Sequence, residues 1–287
     1  MKKHLAFLLF FSFFLSTCFA QFGSTKLKDF EGFKDKTTLF VKTESKELNK
    51  AIVHLMDSIW KLNEYKTISS QEIVAYTDNP DYLFLSYGTY NYSRGTPPMS
   101  YTVRVLNLTD DLHVSKKGII EYRKATILAY AQENWNPALQ FSTYQTDMLQ
   151  AIRFIINHCE LIISEKGPKG GSIKSYLGHL SSLRAQQILQ KTLLIPSRVL
   201  KENVNTQIAI AAIYPFPFSF SYNEDIAESI DQADENSAYF FMFKDGNLVF
   251  RIVVECATGA ILYGKVVSGT KQDKIGPATF KDIAKYE

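Results

Sequence analysis

The sequence predicts an α/β fold, bordering on α+β, in which one β-α-β-α-β-β unit occurs twice in tandem. Three observations carry this. The first is self-similarity: Lys36-Thr37-Thr38-Leu39-Phe40 is echoed by Lys191-Thr192-Leu193-Leu194-Ile195, and Glu72-Ile73 with Asp78 by Asp225-Ile226 with Asp231. Tyr82-Leu83-Phe84-Leu85 is likewise answered by Tyr239-Phe240-Phe241-Met242, and residues 103–109 by 252–258, all at offsets between 149 and 157 residues. Self-similarity at that scale reads as duplication. The second is a capping-box pattern ahead of each unit's second helix, at residues 69–72 and 221–224. The third is a turn signal between the last strands of each unit, Thr109-Asp110-Asp111 in one and Thr258-Gly259 in the other.

In the first unit, residues 37–42 read as a strand. Residues 45–62 read as a helix, with Leu48, Ile52, Leu55, Met56 and Ile59 on one face. Residues 65–69 make a second strand and 69–76 a short helix ended by Asp78-Asn79-Pro80-Asp81. Strands at 82–90 and 100–108 follow, with a last one near 112–115. Alternation puts Tyr101, Val103 and Val105 toward the helices and Arg104 outward. The second unit repeats the order: strand 192–195, helix from Asn205 or Thr206 to Ile213, strand 218–221, helix 225–230, and strands 238–243 and 247–257 around Asp245-Gly246. Here Phe250, Ile252 and Val254 point inward, Arg251 and Glu255 outward. Each unit is expected to carry its helices mainly on one face of a small mixed sheet.

Between the units, residues 145–165 form a long amphipathic helix with Met148, Ile152, Ile155, Ile156, Cys159, Ile162 and Ile163 on its apolar side. A Gly/Pro/Lys loop and a further helix, 175–190, follow. Their Leu and Ile content suits packing between or across the sheets, not a flexible linker. The division is then 1–20 signal peptide, 21–118 first unit, 119–190 helical connecting segment and 191–287 second unit.

The export signal rests on Lys2-Lys3 ahead of an apolar run from Leu5 to Leu15 and on Cys18-Phe19-Ala20, with cleavage after Ala20. Leu15-Ser16-Thr17-Cys18 also resembles a lipoprotein processing box, which would leave a lipid-modified Cys18. No second run of spanning length follows, so no transmembrane span is expected after signal removal. Without the signal, 30 basic residues face 29 acidic ones, too balanced for a nucleic-acid partner.

Catalytic motifs are missing from the pattern. The histidines lack HxH or HExxH spacing, no G-x-S-x-G occurs, and no cofactor fingerprint appears, so no catalytic, metal or cofactor residue is assigned. Residues 167–172 lack the Gly-Lys-Ser/Thr ending of a phosphate loop. His158 beside Cys159 and Glu160 reads as a helix residue next to a core cysteine. Cys159 and Cys256 remain after processing; they can bridge in an oxidising compartment, or stay as two buried free thiols. One asymmetry stands out: the first unit carries about eight extra residues where the second has a tight turn. The segment Tyr87 to Pro98 reads as a loop whose Tyr87, Tyr90, Asn91, Tyr92 and Arg94 can stack on and hydrogen-bond a sugar, peptide or protein surface.

A signal ending Phe-Ala-Gln, Lys-Thr-Leu-Leu-Ile-Pro at 191–196, Ile-Tyr-Pro at 213–215 and Ala-Thr-Gly-Ala-Ile-Leu-Tyr at 257–263 make the chain similar to uncharacterised exported two-repeat proteins of Bacteroidota. That resemblance implies a Gram-negative envelope, with the periplasm as location, and an outer-membrane lipoprotein or extracellular protein as alternatives. It carries over no activity. The expected function is a non-catalytic envelope scaffold binding a protein or another envelope component; the alternative is a periplasmic hydrolase with a site between the repeats.

Overall fold

Leu39-Phe40-Val41 and its echo Leu194-Ile195 each form the inner strand of a five-stranded mixed sheet. The computed structural model describes residues 23–94, 99–110, 113–114, 120–121, 126–132, 144–164, 172–245, 248–268 and 274–287. The first unit contains β1 (Thr37–Val41), α1 (Lys46–Ile59), β2 (Tyr65–Ile68), a 3-10 turn (Ile73–Ala75), β3 (Tyr82–Arg94), β4 (Met99–Thr109), a separate two-stranded ribbon of β5 (His113–Val114) and β6 (Ile120–Glu121), and β7 (Ile127–Gln132). Then come α2 (Tyr144–Ile163), α3 (Ile173–Arg184) and a 3-10 segment (Ala185–Gln190). The second unit contains β8 (Thr192–Pro196), α4 (Gln207–Ala211), β9 (Phe218–Ser221), α5 (Asn223–Asp231), β10 (Ser237–Asp245), β11 (Leu248–Glu255), β12 (Ile261–Ser268) and α6 (Pro277–Ala284).

The sheets share one topology, β2-β1-β3-β4-β7 and β9-β8-β10-β11-β12. In each, the first strand runs parallel to both neighbours and the remaining pairs are antiparallel. Register makes the equivalence residue by residue. Leu39 pairs with Phe84 and Phe84 with Thr109; Leu194 pairs with Tyr239 and Tyr239 with Val254. Both last pairs carry a β-bulge at the equivalent step, Leu108/Thr109 and Val253/Val254. Bulges bend strands at defined places, so a shared one is a strong mark of common descent of the two halves.

This register corrects the alignment read from sequence. Phe84 is equivalent to Tyr239, an offset of 155, two residues away from the match of Tyr82 with Tyr239. It also corrects the strand faces. In sheet one Leu106 and Leu108 enter the helix-covered core, so Val103 and Val105 lie on the opposite face and Arg104 on the helix side. Arg251 is buried and donates to the Lys274 carbonyl (2.7 Å), not turned to solvent. The fifth strand of sheet one is β7, inside the stretch assigned to a helical connector, whereas residues 113–114 belong to the small ribbon.

Thr206 caps its helix as read, whereas the second capping box lies one residue on from 221–224, between Tyr222 and Asp225. Ser45 Oγ accepts from the Leu48 amide (3.2 Å), Thr206 Oγ1 from Ala209 (3.2 Å), and Asp225 and Glu72 carboxylates from the Tyr222 (2.9 Å) and Ser69 (2.7 Å) amides. The Ser45 and Thr206 caps are worth about 1 kcal/mol each. The segment after Glu72 closes only a 3-10 turn.

The units stack front to back. Phe40, Leu83, Leu85, Leu106 and Leu108 of sheet one enter the same core as Leu194, Tyr239, Phe241, Phe250, Ile252 and Val254 of sheet two. Equivalent strand positions therefore face opposite ways: Phe40 enters the shared core, while its counterpart Ile195 enters a second core beneath α6. Between the sheets lie α1, α2 and α3, with Ile226 and Ile230 of α5. The α2 helix clamps the second unit. Its Phe154 ring meets Phe241 edge-on at 5.5 Å, and Arg153 Nη1 donates to the carbonyls of Ile230 (3.1 Å) and Cys256 (3.0 Å). Thr146 Oγ1 donates to Asp231 at 3.1 Å.

Candidate functional site

The two copies differ most on one sheet face. In sheet one, β1 accompanies β3 only from Tyr82 to Ser86, and β7 accompanies β4 only from Val105 to Thr109. The β3–β4 ladder nevertheless continues through six more pairs, Thr89–Arg104 to Arg94–Met99. At about 3.4 Å per residue this is an arm roughly 20 Å long. In sheet two β12 follows β11 to its end, Leu248 pairing with Ser268. The segment read as a loop from Tyr87 is thus strand as far as Arg94, its Thr and Tyr content sustaining the pleat. Pro97 and Pro98 lie outside the described residues.

Strand alternation sorts the residues picked from sequence. Tyr90, Tyr92 and Arg94 share one face with their cross-strand partners Val103, Tyr101 and Met99. Thr89, Asn91 and Ser93 share the other with Arg104, Thr102 and Ser100. Tyr87 falls on this second side; half-buried, it packs on the shared core. By register parity Tyr90, Tyr92 and Arg94 thus hold positions of one kind along the ribbon, and Tyr87 and Asn91 positions of the other. Residues 82–108 contain Arg94 and Arg104 and no Asp, Glu or Lys, so the arm carries positive charge.

Toward the base of the arm, the sheet face of the first kind becomes polar. Ser86, Asn107, Thr109 and Tyr130 stand where sheet two has Phe241, Ile252, Val254 and Gly264, by the shared register. In sheet two this face receives α2 and α3. A β-carbon on Gly264 would sit 2.6 Å from Leu177 Cδ2, so α3 approaches β12 only because that residue has no side chain. Tyr130 at the equivalent place forbids the same seating in sheet one. The four residues are still at most 8% exposed, and Ser86, Asn107 and Tyr130 are held by their neighbours, as buried polar groups require. None was identified from the sequence. The signal was there as Ser86 against Phe241, but only in the correct register.

His158 occupies a different place, at the end of the shared core. Its Nε2 lies 2.9 Å from the Ser24 carbonyl, which can only accept, so Nε2 carries the proton. Its Nδ1 then accepts from the Tyr176 hydroxyl at 2.9 Å. Burial holds the imidazole down at about 4, outweighing the hydrogen bonds to Ser24 and Leu128 that favour charge. Burial likewise pushes up the Tyr176 hydroxyl.

Cys159 and Cys256 are both free and buried in the same core, so the bridge left open by sequence is not made. Burial pushes the Cys256 thiol up to about 12 and Cys159 higher still. Cys18 lies outside the described residues. Among the described residues no three His, Cys, Asp or Glu side chains converge as a metal site, and no helix is long and apolar enough to cross a membrane.

These features define a two-repeat α/β protein whose copies share a topology and differ in one sheet face. No family model matches the chain, and no curated protein does. Among solved structures, a minor lipoprotein from Acinetobacter baumannii aligns with 48% of this chain and 98% of its own, at 11% identity and a TM-score of 0.19. A likeness that slight carries no argument about fold or function.

Proposed function

We propose that the chain is an exported, non-catalytic binding scaffold of a bacterial envelope, of the Bacteroidota type it resembles, with the β3–β4 arm as its contact surface. One observation carries this reading: a duplicated face that accepts helices in the second unit is rebuilt in the first as a polar base leading to Tyr90, Tyr92, Tyr101 and Arg94. Nothing in sheet packing requires the arm to run six pairs beyond its neighbours, and a two-stranded ribbon alone is only marginally stable in water. Aromatic rings with arginine suit a partner that covers the ribbon, since such residues dominate binding surfaces. The interface between the repeats is filled by apolar side chains such as Ile152, Phe154 and Ile155, which gives a hydrolytic site there no support.

The test combines folding and capture. Photo-crosslinking from position 92 in the native envelope is expected to trap one discrete partner, with a position on α6 as control. Changing Tyr90, Tyr92 and Arg94 together to Ala is expected to abolish capture and leave the melting temperature within a few degrees. Absence of a position-92 product, or equal capture by the triple variant, would sink the reading.

A further inference from the structure

Among the described residues β9 is the last strand of its sheet, paired on one side only, with β8. The Leu193 amide donates to the Pro217 carbonyl at 3.1 Å, which turns the backbone polar groups of residues 217, 219 and 221 toward β8. The N–H and C=O of Phe218 and Phe220 therefore point to the open edge. Pro217 has no N–H to give, but its nitrogen faces β8, so the open edge loses no donor there. The Ser219 hydroxyl donates to the Phe220 carbonyl (3.3 Å), which keeps a second lone pair.

The first unit shows how such an edge is guarded. By the shared register Lys66 of β2 lies beside Leu39 and Ser219 of β9 beside Leu194, so the two residues are equivalent. Lys66 is exposed in the middle of its edge strand, with Lys61 and Glu64 just before it. A charged side chain there opposes edge-to-edge pairing. Strand β9 carries no such guard: from residue 203 to 223 the chain holds no Asp, Glu, Lys or Arg. Aromatic residues recur instead at every second position, Phe216, Phe218, Phe220 and Tyr222. The three phenylalanines are only partly buried against the second core, and Tyr222 is 68% exposed.

We propose that β9 pairs antiparallel with β9 of a second copy about a two-fold axis through Ser219, joining the two sheets edge to edge. A two-fold axis normal to the sheet sets positions of equal parity opposite each other and keeps the same faces aligned. With the axis at Ser219, Phe218 of each copy meets Phe220 of the other in a hydrogen-bonded pair. That register engages every outward N–H and C=O of the two phenylalanines. It also sets Phe216 opposite Tyr222 at each end, so one aromatic row completes the other on a single sheet face. The edge is thus its own complement in hydrogen bonding, side chains and charge, which is what favours a second copy over a foreign strand. The same pairing at β2 would bring two Lys66 side chains together, and there the guard forbids it.

Sedimentation of the exported chain from about 5 to about 500 μM tests the pairing, a range suited to so small a contact. The mass is expected to rise from one chain toward two. Ser219→Lys installs the guard of the first unit and sets two like charges opposite each other. It should keep the chain monomeric throughout, with the melting temperature within a few degrees, while Ser219→Thr should still pair. Cysteines test the register, and should the lysine variant fail to fold they decide. In Ser219→Cys the axial pair is not hydrogen-bonded, with α-carbons about 4.5 Å apart, so mild oxidation should link two chains. In Ser221→Cys the two thiols would sit roughly 14 Å apart along the ladder and should not link. Cys159 and Cys256 are buried and do not compete. A wild-type chain that stays monomeric would leave the edge to an extended strand of another protein and overturn the proposal. Undiminished pairing in Ser219→Lys, or equal linking at 219 and 221, would overturn it too. None of these outcomes bears on whether the β3–β4 arm binds a partner.

Discussion

Replacing Phe154 by Ala tests whether the two units share one core. The ring is 7% exposed and meets Phe241 of the second unit at 5.5 Å, while its helix, α2, also covers the first sheet. A buried Phe→Ala change costs about 3–5 kcal/mol, which includes an edge-to-face pair worth about 0.5–1.5 kcal/mol. For a chain of this size each kcal/mol lowers the melting temperature by about 2–4 °C. The expected fall is therefore roughly 6–20 °C. The informative readout is Trp60, in the first unit and buried in the shared core, in a Trp135→Phe background so that it is the single indole. Because apolar contact runs unbroken from Phe40 and Leu85 to Phe241 and Ile252, Trp60 fluorescence and far-ultraviolet dichroism should shift together. If the Trp60 midpoint stays put while a separate dichroism transition moves down, the units are independent and the reasoning fails.

Other outcomes follow from the same geometry. Gly264→Ala drives a methyl into Leu177 and should cost about 1–3 kcal/mol by overpacking; Leu177→Ala in the same chain should recover part of it, seen as non-additive melting temperatures. The His158 contribution to stability is complete above its unfolded value of about 6.5 and is lost as pH falls toward about 4, up to about 3 kcal/mol. Urea midpoints at pH 7 and 4.5, wild type against His158→Gln, measure it, and equal losses in both would remove His158 as the cause. Both thiols should resist a disulfide reagent at pH 8 until the chain unfolds, since burial disfavours each thiolate; stoichiometric labelling of the native protein would contradict the buried placement. Gly23→Ala should raise exchange at Ser24 without altering β11, because its added carbon collides with Leu128.

Much of the fold was legible because its signals are local. The apolar spacing of Leu48, Ile52, Leu55 and Met56 specifies the buried face of α1, and Ser45 and Thr206 cap where capping chemistry places them. The repeat was readable from Lys36 and Lys191 onward. Its register was not: Tyr82 and Tyr239 look alike, but pairing with β1 and β8 sets equivalence two residues away. The β7 strand was missed because Ile127-Leu-Ala-Tyr-Ala alternates weakly and follows a long connection. The helix at Pro277–Ala284 went unread, although Pro at its first position with Phe280 and Ile283 could have marked it.

Sequence alone determined the doubling and the type of the strongly patterned elements, such as α1, α2, β1 and β8, since these depend on residues near one another in the chain. Tertiary structure decided which face of each sheet is inside. Equivalent positions face opposite ways because the units stack front to back, so Leu39 and Leu194 enter different cores. It also decided that Arg251 is buried, that two cysteines share a core without bridging, and that a histidine on α2 holds Ser24, 134 residues away. Such contacts join segments with no common local pattern. Their energies come from burial that exists only once the layers have closed.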